Sequence, residues 1–168
     1  LSLVPAASYA QGVNGDVVNT ISFATFSDPH YYPQVLTMDE NGNKSEAWYE
    51  ATRLDCKQYE ESEDIILTAL ETLRIRAEKT GVKYILFPGD ITKDSEYVAH
   101  TEFAAILENF EKETGIRMIV INGNHDINSN RATQFVNGIK ETARSITPQE
   151  FREVYANLGY DLATDEYA

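Results

Sequence analysis

The chain has 168 residues, with 14 basic against 27 acidic side chains, a formal charge of −13, and 42% hydrophobic and 24% charged residues. That balance belongs to one folded domain with a core of its own and excludes a disordered chain. No apolar run approaches the roughly 20 residues of a membrane span. The acidity argues against a groove that tracks nucleic acid, though not against one phosphate ester held beside a cation. The single cysteine, Cys56, excludes an intrachain disulfide and a cysteine zinc cluster.

Residues 1–16 begin with a small, apolar run in which Ser8 and Ala10 have the small-x-small spacing of a secretory cleavage site. The two readings are a signal-peptide remnant, hence a secreted or cell-envelope protein, and a plain flexible terminus. Val17 to Phe26 reads as a strand, with Ile21, Phe23 and Thr25 on one face, ending in Ser27-Asp28-Pro29-His30. Tyr31 to Tyr59 has no clean period and reads as a long excursion around the turn signal Asn41-Gly42-Asn43. Ser62 to Lys79 is predicted helical from the stripe Ile66, Ala69, Leu70, Leu73, Ala77, with Gly81 as its stop and an acidic first turn. Val82 to Phe87 is predicted to be a strand buried on both faces, ending in Pro88-Gly89-Asp90.

A second helix is expected from about Ser95, capped by Asp94 or Ser95, to Thr114, with Phe103, Ile106, Leu107 and Phe110 inward. His100 on that helix reads as a satisfied structural histidine. Ile116 to Ile121 is the next buried strand and ends in Asn122-Gly123-Asn124-His125-Asp126. An irregular segment follows, in which Arg131 reads as solvated. Thr147-Pro148-Gln149-Glu150 is a capping box opening a last helix to Leu158 and Gly159. Strands alternating with helices predict an α/β layer with parallel strands.

The polar residues collect at strand ends, the rim where open α/β folds bind ligands. Carboxylate, imidazole and amide donors beside buried strands are costly alone and suit Mn, Fe or Zn. Asp28 and His30 are placed to grip one ion. Asp90 has two oxygens and can bridge two ions at the roughly 3.5–4 Å spacing of paired-metal sites, with Asn124 on the second. His125 is placed to act on a bound phosphate. Asp126 either orients that imidazole or caps a helix. Tyr31 and Tyr32 either wall the pocket or simply pack, and Cys56 reads as a small buried apolar residue.

Asp28-Pro29-His30, Gly89-Asp90 and Gly123-Asn124-His125-Asp126 together resemble the first three signature blocks of the calcineurin-like metallophosphoesterases, over roughly residues 17–168. The resemblance implies a layered α/β/β/α sandwich of two mixed sheets flanked by helices. It also implies hydrolysis of small phosphomonoesters or phosphodiesters at a dinuclear centre, by in-line attack of water without a covalent enzyme intermediate. Asp28 and His30 are then implied on the first ion, Asp90 bridging, Asn124 on the second, with His125 acting on phosphate. The family's later lone histidine and G-H-x-H block have no counterpart, because the three histidines are His30, His100 and His125. The expectation is therefore the N-terminal part of a longer enzyme, with the fragment alone binding metal poorly and turning over little, and the rival is a non-catalytic cell-envelope module that keeps the scaffold.

Overall fold

The computed structural model describes residues 21–39, 41–44, 46, 48–49, 58–136 and 139–164. The expectations for residues 1–16, for the first part of the Val17 strand and for Cys56 lie outside them. Three parallel strands, β1 (Phe23–Thr25), β2 (Tyr84–Phe87) and β3 (Arg117–Val120), lie in that order. The register pairs Ala24 with Ile85 and Ile85 with Met118. Helices α1 (Ser62–Thr80) and α2 (Tyr97–Thr114) connect them, so the predicted alternation is the observed one.

Both helices end as their glycines dictate. Gly81 and Gly115 adopt left-handed backbone at φ 68° and 70°, and their N–H groups donate to the Ala77 and Glu111 carbonyls at 2.8 Å. Ile66, Leu70 and Leu73 of α1 and Phe103, Leu107 and Phe110 of α2 share one core with Ile85, Phe87, Met118 and Val120. Burying each such side chain contributes about 1.5–3 kcal/mol. The strands were expected to be covered on both faces; instead burial alternates along β2 and β3, and Tyr84, Leu86, Arg117 and Ile119 are only half-buried. The helices cover one face, and successive strand side chains point to opposite faces.

The segment expected to be irregular holds an antiparallel hairpin, β4 (Thr133–Val136) and β5 (Ile139–Thr142), paired from Thr133 with Thr142 to Val136 with Ile139. The capping box is formed as expected at α3 (Pro148–Val154). Thr147 Oγ1 accepts from Glu150 N–H at 3.3 Å and Glu150 Oε2 accepts from Thr147 N–H at 2.9 Å. The helix is shorter than the span expected to Leu158, and a 3-10 turn at Tyr160–Leu162 follows.

The excursion after β1 carries a 3-10 turn, Gln34–Leu36, and a second small core of Tyr32, Leu36, Trp48, Tyr59 and Phe135, in which Tyr32 stacks on Trp48 at 5.0 Å. Ser62 Oγ, at the start of α1, accepts from Tyr32 N–H and donates to its carbonyl, both at 3.1 Å. Tyr31 and Tyr32 are therefore packing residues, each about 1% exposed. Among the described residues, no helix is long and apolar enough to cross a membrane.

Candidate metal centre

The three signature segments leave the sheet side by side because parallel pairing continues past the strands. Phe26 N–H donates to the Leu86 carbonyl at 2.9 Å, Asp28 N–H to Gly89 at 3.3 Å, His30 N–H to Asp90 at 3.0 Å and Tyr31 N–H to Ile91 at 2.8 Å. Gly89 is required here. It sits at φ 111°, and a Cβ on it would meet the Gly123 nitrogen at 2.6 Å. That close approach brings the Asp90 and His125 segments together.

Asp28, His30 and Asp90 all adopt left-handed backbone, with φ of 55°, 44° and 50°. Such conformations cost on the order of 1–3 kcal/mol each for non-glycine residues and cluster at functional sites. Here they turn three side chains together. One ligating atom from each lies within 4.8 Å of the others, and His30 Nε2 is 3.9 Å from Asp90 Oδ2. Among the described residues, no Lys or Arg forms an ion pair with Asp28 or Asp90. Two carboxylates held close without a cationic side chain repel each other, and a divalent ion is the partner that oxygen and imidazole donors fit.

The third segment closes over this group. His125 N–H donates to Asp90 Oδ1 at 3.1 Å, and the His125 ring meets the His30 ring edge to face at 5.1 Å. Asn124 is the preceding residue of the same turn and is exposed. The His125 Nδ1 faces two acceptors, the Lys93 carbonyl at 2.9 Å and Asp94 Oδ1 at 3.1 Å. In the neutral ring Nδ1 therefore carries the proton, and Nε2 is left for a ligand.

Asp126 does not have the role expected for it as the orienter of His125, nor does it cap a helix. It is fully buried beneath the turn, where Oδ1 accepts from Thr92 N–H at 2.9 Å and Oδ2 from Gly123 N–H at 2.6 Å. Burial raises its pKa, against the lowering effect of those N–H groups. With both oxygens committed to backbone, it fastens the turn to the Asp90 loop. The carboxylate on the imidazole is Asp94, expected instead to cap α2, and Lys93 Nζ holds its other oxygen at 2.6 Å. Lys93 in turn lies 5.5 Å from the Tyr59 ring. The residue at the N-cap of α2 is Glu96, whose side chain makes no capping bond.

His100 is structural, as expected. It is buried under the site, with Nε2 2.9 Å from the Asp126 carbonyl and Nδ1 2.9 Å from the Tyr155 hydroxyl. The carbonyl can only accept, so Nε2 carries the proton and Tyr155 donates to Nδ1. Arg131 is exposed.

The family model of the calcineurin-like phosphoesterases matches residues 21–164, a span that contains all three segments and the helices between them. The chain belongs to the calcineurin-like phosphoesterase family. Metal-dependent hydrolysis of phosphoesters is the chemistry of that family, and Asp28, His30 and Asp90 are a candidate group for holding a metal ion. No curated protein matches the chain significantly.

Proposed function

We propose that this calcineurin-like phosphoesterase hydrolyses a small phosphate ester, mono- or diester, at a pair of metal ions. Asp28 and His30 would hold one ion, Asn124 the other, and Asp90 both. The observation that carries this reading is the convergence of Asp28, His30 and Asp90 on three strained backbone positions. The ions, Mn, Fe or Zn by donor type, supply charge that polarises the phosphoryl group and acidifies water. The protein's own part is at His125. With Nδ1 directed to Asp94 and the Lys93 carbonyl, its Nε2 is free to steady charge on the phosphate or to hand a proton to the leaving oxygen. A charge of −13 favours a single ester over a polyanion. The spacing of Ser8 and Ala10 extends the proposal to an exported protein.

The test is to load the full-length protein separately with Mn, Zn and Fe, count bound ions by mass spectrometry, and assay para-nitrophenyl phosphate and bis(para-nitrophenyl) phosphate. Two ions per chain with turnover, both lost in Asp90→Ala, is the expected result. Wild-type turnover in Asp90→Ala refutes the bridging role. Ion uptake without hydrolysis of either ester points to the non-catalytic module instead.

A further inference from the structure

Behind the pair formed by His125 and Asp94 lies a carboxylate that the proposed reaction does not use. Glu96 is fully buried at the start of α2, on extended backbone with φ −60° and ψ 121°. Its two oxygens serve two different loops. Oε2 accepts from Asp94 N–H at 2.8 Å, and Oε1 accepts from Thr133 N–H at 3.3 Å, where β4 begins. Burial pushes its pKa up, with the hydrogen bond from Asp94 pulling the other way. A buried carboxylate is a costly means of joining two loops unless both of its oxygens are needed.

The surrounding backbone is pinned as well. Glu96 pairs with Ser145 as an isolated antiparallel bridge, Tyr97 N–H donates to the Arg144 carbonyl at 2.8 Å, and Ile146 N–H donates to the Ser95 carbonyl at 2.9 Å. Ser95 itself sits at φ 67° and its hydroxyl accepts from Ser129 N–H at 3.1 Å. Among these fixed points, the one that acts on Asp94 directly is Glu96. It holds the amide of the residue whose carboxylate holds His125 Nδ1.

We infer that Glu96 is a positioning residue for His125, and that it makes the aim of the imidazole depend on the seating of the β4–β5 hairpin. The inference rests on the reading in which His125 acts on the phosphate. Glu96→Gln preserves size but presents an amide NH₂ to one of the two N–H groups, so one contact is lost. In metal-free protein with ¹⁵N-labelled histidine, His125 is expected as the Nδ1–H tautomer in the wild type and as an average of both tautomers in the variant, with His100 unchanged. In the metal-loaded enzyme kcat should fall about ten- to a hundredfold at constant KM and metal content. If His125 protonates the leaving oxygen, the fall should be steeper for alkyl than for para-nitrophenyl esters. Glu96→Gln combined with His125→Ala should match His125→Ala alone.

An unchanged His125 tautomer, or losses that add in the double variant, overturns the inference. A uniform loss of activity together with metal would do the same. If Glu96→Gln does not fold, Glu96→Asp keeps the charge, shortens the reach by one methylene and answers the same measurements. A wild type that binds ions and hydrolyses no ester refutes the functional reading, and the tautomer measurement then decides the positioning role by itself.

Discussion

Lowering the pH should destabilise this protein through His100. Burial of the ring drives its pKa from 6.5 down to about 3, against the upward pull of the Asp126 carbonyl. In the folded protein the imidazole stays neutral, while in the unfolded chain it takes a proton below pH 6.5. The unfolded state therefore binds more protons, and stability falls as pH drops from 6.5 towards 3. At pH 5 the gap is about one and a half pH units, which at 1.36 kcal/mol per unit costs about 2 kcal/mol. That figure depends little on the folded value so long as it lies well below 5. Burial raises the pKa of neighbouring Asp126 and so acts in the opposite sense, but it is common to any pair of variants compared. Urea unfolding at pH 7.5 and pH 5.0, with chelator present, should be run on the wild type and on His100→Gln. The Gln amide can still donate to the Asp126 carbonyl but does not titrate. The wild type should lose about 2 kcal/mol more than the variant between the two pH values. Equal losses would mean that the imidazole is not held neutral and that the buried network under the site is wrongly drawn.

Gly89→Ala forces a Cβ against the Gly123 backbone at a φ of 111° and should cost on the order of 3 kcal/mol, read as a lower Tm and a weaker metal affinity. A variant with wild-type melting would show that the two segments are free to move apart. His125→Ala should retain bound metal and lose about 10²–10⁴ in kcat; loss of the ions would make His125 a ligand. Chelation should lower the Tm of the loaded protein, because an ion at a hundred times its dissociation constant contributes about 2.7 kcal/mol through the folded state. Asp28→Asn/Asp90→Asn should abolish that dependence, measured by scanning fluorimetry.

Much of the fold was legible because its signals are local. The stripe from Ile66 to Ala77 with Gly81 behind it, the box from Thr147 to Glu150, and the apolar runs ending in Gly89-Asp90 and Gly123-Asn124 need only neighbours in the chain to act. The β4–β5 hairpin also has a local signal, Asn137-Gly138 between two β-prone runs, but the sequence of β5 shows no apolar alternation, and the strand is exposed along its length.

The convergence of Asp28, His30 and Asp90 could be read from sequence because they stand where strands end, and parallel pairing delivers strand ends to one rim. Which carboxylate meets which partner could not. Asp94 and Asp126 are alike as letters; one follows the second signature block and the other ends the third. One turns to His125, 31 residues along the chain, and the other to Thr92, 34 residues back. Sequence determined the donor chemistry and its arrival at a common edge, since strand direction is a property of the backbone. The assignment of each buried charge was left to tertiary structure, because a carboxylate settles on whichever N–H groups or imidazole the folded neighbours leave unpaired.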